Sequence, residues 1–118
     1  MIRQIEVAAS FEEAAARLQG PDRKHVDAFV QKLVAAPDSW GVHFEMVRDA
    51  HDRHMLSARV SRDLRAVGYE CGDVLTLLWA DQHDKAYTWA AHRCVECHPV
   101  SGHVIKHYEV PSRAGGAS

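Results

Sequence analysis

The segment from Met55 to Arg93, MLSARVSRDLRAVGYECGDVLTLLWADQHDKAYTWAAHR, restricts the possible fold more than any other stretch. Leu56, Ala58 and Val60 alternate with Ser57, Arg59 and Ser61, the two-residue period of a half-buried strand. Leu64, Ala66 and Val67 carry a second strand to Glu70, and Cys71-Gly72-Asp73 reads as a turn. Val74 to Trp79 is apolar on both faces, as a strand covered above and below must be. Asp84 is then placed to cap a short helix, Asp84–Arg93, bearing Tyr87, Trp89 and Ala90. Arg59, Arg62, Arg65, His83 and His92 punctuate this apolar frame, so a functional site is expected here.

Upstream, Ile2 to Val7 alternates like an opening strand. Ser10-Phe11-Glu12-Glu13 matches a capping box, which predicts Ser10 as the N-cap of a helix carrying Phe11, Ala14, Ala15 and Leu18. Gly20-Pro21 is expected to end that helix, and Asp22 to start the next. Val26, Phe29, Val30, Leu33 and Val34 hold the i, i+3, i+4, i+7, i+8 spacing of one helical face until Pro37. Between Trp40 and His54, Phe44, Met46 and Val47 suit a small strand or a tucked loop. Near the end, Pro99 to Gly102 reads as a turn and Val104 to Val110 as a last strand. The order predicts an α+β fold with two helices on one face of a sheet. One domain over residues 1–110 is expected, followed by a flexible tail over 111–118.

A chain of 118 residues buries about two-thirds of its unfolded surface, enough for one core. No apolar run approaches the roughly 18 residues of a membrane span, and no signal-peptide core opens the chain, so a cytoplasmic location is expected. The net charge of −2 argues mildly against a general nucleic-acid binder, although four arginines fall between Arg53 and Arg65. Cys71, Cys94 and Cys97 are an odd set, and nothing in their spacing requires a disulfide. Cys94 to His98 spells the CxxCH haem string, and Cys94, Cys97, His98, His103 and His107 are possible zinc ligands. One CxxC with no second pair is a weak signal; neither metal nor cofactor is assigned.

The motifs SRDLRAVGYE and WADQHDKAY resemble those of the RelE/ParE toxin superfamily, with Arg65 at the arginine of the first motif and Tyr87 at the tyrosine of the second. His83 stands where the second motif carries an arginine. The resemblance covers roughly residues 1–93 and implies a two-helix hairpin on a small, mainly antiparallel sheet, with a short helix after the central strand. It further implies a type II toxin, a metal-independent endoribonuclease acting on mRNA at the ribosome and neutralised by a small antitoxin. A narrower similarity, LLWADQHDKAYTWAAHR followed by VECHPVSG, is to RelE-like domains that precede UvrD/Rep-type helicase modules. That similarity implies the alternative: a catalytically inactive module binding nucleic acid or a partner, associated with a DNA helicase.

Metal-independent RNA cleavage needs a base, an acid and cations for the transition state. Arginine suits the last role because its planar fork pairs two phosphate oxygens, and histidine suits the outer roles because it titrates near neutral pH. Arg65, His83 and Tyr87 are therefore the catalytic candidates, and Arg59, Arg62, Lys85 and His92 the nucleic-acid contacts. His54 is a weaker candidate, and Trp79 and Trp89 are read as packing residues.

Overall fold

A computed structural model describes residues 2–37, 44–48 and 50–110. Strand β1 (Gln4–Val7) leads to helices α1 (Ala9–Ala16) and α2 (Gly20–Ala35) and to a two-residue strand β2 (Glu45–Met46). Strands β3 (Met55–Arg59), β4 (Leu64–Cys71) and β5 (Val74–Gln82) follow, then helix α3 (His83–Ala91) and strands β6 (Arg93–Cys97) and β7 (Val104–Glu109). The main sheet has the order β1-β5-β4-β3-β2, antiparallel except where β1 runs parallel to β5. Strands β6 and β7 form a separate antiparallel pair. The segment from Met55 to Arg93 thus supplies three adjacent strands and the helix that follows them, as its patterning predicts.

Both faces of the main sheet are covered, which is why Val74 to Leu78 carries so little polarity. On one face Phe11, Val26, Phe29 and Leu33 of α1 and α2 join Ala58, Leu64, Ala66, Leu75, Leu77 and Ala80. On the other, Ala86 and Ala90 of α3 and Val95 of β6 join Met55, Val67, Tyr69 and Leu78. A bulge in β5 switches which of the two sets its residues join. The register passes from Val67 opposite Trp79 to Gly68 opposite Leu77, so Leu78 is the extra residue. Leu78 and Trp79 consequently both serve the second core.

Several local expectations are corrected. Helix α1 begins at Ala9, so Ser10 lies inside it and makes no cap. Its hydroxyl donates instead to the Leu78 carbonyl at 2.6 Å, a long-range bond that capping statistics do not anticipate. Gly20 and Pro21 open α2 instead of ending α1, because proline in the first turn forfeits no intrahelical bond. Asp22 falls in that first turn. Helix α3 starts at His83 after Gln82, with no side-chain cap from Asp84. Ser57 is buried, not turned to solvent.

The cysteines differ most from expectation. Cys71 at the end of β4 and Cys97 at the end of β6 form a disulfide, while Cys94 is free. The pairing was invisible in one dimension because it depends on β6 and β7 folding back over the β4–β5 turn. Gly102 seals that contact at φ +79. A Cβ there would meet Val74 Cγ2 at 2.7 Å and the Cys71 carbonyl at 2.8 Å. Trp40, in the connection before Phe44, and the expected tail at 111–118 lie outside the described residues.

Candidate functional site

Strand pairing sets Arg65 across from Arg59 on β3 and from Asp81 on β5. Alternation sends Ser57, Arg59 and Arg65 to the face that α3 crosses, where Tyr87 meets them. Arg65 is held firmly. Its Nη1 donates to the carbonyls of Ser61 at 3.0 Å, Arg62 at 3.3 Å and Leu64 at 2.9 Å. Its Nε donates to the Tyr87 hydroxyl at 3.2 Å. The β3–β4 loop therefore works as a backbone clamp on one guanidinium. Nη2 has no protein acceptor among the described residues, which leaves it for an anion.

Glu45, Ser57, Arg59, Arg65 and Tyr87 line a cleft of about 190 Å³. An adjoining hollow shares Glu45, Ser57 and Tyr87 and adds Arg48. Glu45, Arg48 and Ser57 are residues that sequence reasoning missed. Glu45 sits in a strand of two residues, too short to show a period, and Ser57 was assigned to the wrong face. A signal for Glu45 existed: it lies between the buried Phe44 and the pairing residue Met46, so its position was fixed by its neighbours.

The remaining candidates divide into groups. His83 stands beside the cleft, its ring centroid 6.4 Å from that of Tyr87 and its Nδ1 2.8 Å from Asp84 Oδ1. Its amide donates to the Asp63 carbonyl at 2.8 Å, tying α3 to the loop that clamps Arg65. Arg62 is exposed in that loop and contributes its carbonyl. Lys85 and His92 are not part of this cleft. They line a second hollow of about 420 Å³ with Asp84, Thr88, Trp89, Arg93 and Glu109.

His54 lies elsewhere, with its ring 5.9 Å from Tyr69. Asp52 is the hub there, accepting from the His54 amide at 3.1 Å and the Val95 amide at 3.2 Å. Burial first, then the charge of Asp52 and a hydrogen bond to it, push the Tyr69 hydroxyl up to about 12. Burial and Asp52 likewise raise the Cys94 thiol, which favours its neutral form. The cysteine- and histidine-rich segment does not converge. Cys97 is bonded to Cys71, His103 Nδ1 sits 2.6 Å from Glu6, and His107 Nε2 sits 3.2 Å from Ser10. Among the described residues no group of three or more possible ligands surrounds a common point.

No protein-family model matches the sequence, and no curated protein matches it significantly. A structure search finds a chain of the toxin–antitoxin complex RelBE2 from Mycobacterium tuberculosis, with a TM-score of 0.54 and 14% identity. The match spans 70% of this chain and 99% of the other.

The chain has a RelE-like fold.

At that identity the likeness concerns the fold alone. It agrees with the mixed α+β architecture and the mostly antiparallel sheet. The RelE-like portion accounts for about seven-tenths of the chain. No helix among the described residues is long and apolar enough to cross a membrane.

Proposed function

We propose that this protein is the toxin of a type II toxin–antitoxin pair, and a metal-independent endoribonuclease that cuts mRNA on the ribosome. The observation that carries the reading is the Arg65–Tyr87 contact inside a cleft that also holds Arg59 and Glu45. Arg65 presents Nη2 to a non-bridging oxygen of the scissile phosphate, and Arg59 adds a second cation as negative charge grows. Glu45 takes the proton of the ribose 2′-hydroxyl, whose oxygen attacks phosphorus. The bond from phosphorus to the 5′-oxygen breaks, leaving a 2′,3′-cyclic phosphate upstream. His83, oriented by Asp84, gives the 5′-oxygen its proton. Tyr87 accepts from Arg65 Nε and so keeps its own O–H to donate to a phosphate oxygen. Arg62, Lys85 and His92 steer the strand on either side.

A small antitoxin is the expected partner. The location follows from the target: ribosomes place the protein in the cytoplasm, where reductants act on Cys71–Cys97.

One observation favours a second reading. His83 lies beside the cleft and is not among the residues lining it. If no proton donor reaches the phosphate, the cleft only holds nucleic acid or a partner, as an inactive helicase-associated module would. Induced expression separates the two. Growth arrest with new, codon-phased mRNA ends by primer extension is the expected result, and Arg65→Ala abolishes both. Normal growth with soluble protein and intact mRNA would leave the binding module.

A further inference from the structure

The hollow on the other side of α3 is lined by Trp89 and Arg93, which belong to a longer aromatic column. Trp79 of β5 and Trp89 of α3 stack with ring centroids 5.0 Å apart and planes 6° from parallel. Arg17 covers the outer face of this pair at Trp79, 5.8 Å from the ring centre. Arg93 covers Trp89 at 4.5 Å. The result is a column: guanidinium, indole, indole, guanidinium. The bulge at Leu78 helps to build it, since it sends Trp79 to the α3 side of the sheet. His107 packs against the edge of the column, 5.4 Å from the Trp89 ring centre. Burial, then the nearby Arg93 charge, keep its imidazole neutral to lower pH than usual.

Arg93 also lines the 420 Å³ hollow, so the column ends there in a flat cationic group supported by an indole. The surrounding charges nearly cancel. Lys85 and Arg93 face Asp84 and Glu109, and His92 adds charge only when protonated. A bare phosphate chain gains little from such a balance. An unpaired nucleobase gains more, because it stacks on a guanidinium plane and pairs its polar edge with fixed groups. Glu109 offers acceptors only, which suits a base carrying an exocyclic amine.

We infer that this hollow is a second RNA-contact site, which seats one unpaired, amine-bearing base of a single-stranded RNA on the Arg93–Trp89–Trp79 stack. The inference rests on the RNA-directed reading above but not on its chemistry. Arg93 is the platform, Glu109 reads the amine, and Lys85 and His92 meet the flanking phosphates.

The test uses the full chain carrying Arg65→Ala, so that RNA is held and not cut. Cytidine and uridine oligoribonucleotides are compared at low salt by fluorescence anisotropy, with inorganic polyphosphate as a competitor that has no bases. Arg93→Lys, which keeps the charge and removes the plane, is expected to weaken cytidine binding about tenfold, the size of one stacked base. Polyphosphate competition should be unchanged. Glu109→Ala should abolish the preference for cytidine over uridine. Equal loss for RNA and polyphosphate, no loss in Arg93→Lys, or no RNA binding at all overturns the inference. Should it fail while codon-phased cuts persist in cells expressing the unmodified protein, the ribonuclease reading stands. Base-dependent binding without cuts would sink the ribonuclease reading and keep the platform.

Discussion

The two hollows beside α3 draw on the same helix and treat an arginine in opposite ways. In the cleft, Arg65 is fixed by three carbonyls and a phenol, and its neighbours are polar. In the second hollow, Arg93 sits over an indole, its guanidinium carbon 4.5 Å from the ring centre. The first arrangement directs hydrogens at a point, which suits a phosphate whose charge builds during reaction. The second presents a face, which suits a base. Their positions in the chain differ as well. The cleft is assembled from β2, β3, β4 and α3, whereas Arg93 and Glu109 belong to the strand pair β6–β7. If the two hollows do what is proposed for them, substitutions should break one function without the other.

Arg65→Ala should have the largest effect, a loss of about 100- to 1000-fold in cleavage rate in a reconstituted translation assay. Arg65→Lys should recover little of it, since an ammonium cannot be held by the loop carbonyls and Tyr87 and at the same time aim a separate N–H at the phosphate. If both variants cut normally, the cleft is not the reacting site. Next is the disulfide. Cys71→Ser opens the disulfide-closed loop, whose ends are 26 residues apart in sequence, and should cost about 3 kcal/mol in denaturant unfolding without reductant. The same variant should weaken base binding more than cleavage, because only the second hollow depends on β6 and β7. Equal damage to both would show that the two regions are one cooperative unit.

Tyr87→Phe should slow cleavage about tenfold and leave cytidine binding by the platform intact, since it removes one hydrogen bond to the reacting phosphate. The smallest effect lies at high pH. The Tyr69 hydroxyl, raised to about 12, stays protonated in the folded state after the unfolded chain has begun to ionise near 10. Its contribution to stability is complete below about pH 10 and disappears as pH rises toward 12. Tyr69→Phe should flatten that part of the stability profile in equilibrium unfolding.

How much of this the sequence disclosed depends on the range of the interactions involved. The stripe Val26, Phe29 and Leu33 and the apolar run from Val74 are local periodicities, and both elements form where they predict. Arg65, Tyr87 and Arg59 lie together because strand register and one helical turn suffice to place them. Ser10 fails as a cap because the helix already begins one residue earlier, which leaves its hydroxyl in the first turn, donating to a carbonyl 68 residues away. Lys85 and His92, read as nucleic-acid contacts alongside Arg59 and Arg62, line a different hollow from Arg59 because helical rotation carries them round α3. Trp79 and Trp89 were read as packing, and the column they form required a bulge that no local pattern announces. The Cys71–Cys97 bond likewise required knowing where β6 lies.

The central claim is that the cleft around Arg65 and Tyr87 cuts RNA through its own 2′-hydroxyl. The most direct measurement adds purified protein to a stalled ribosome–mRNA complex and determines the chemistry of the new upstream 3′ end. A 2′,3′-cyclic phosphate, absent with Arg65→Ala, is the predicted result. Uncut mRNA, or a cut that persists unchanged in Arg65→Ala, would contradict it.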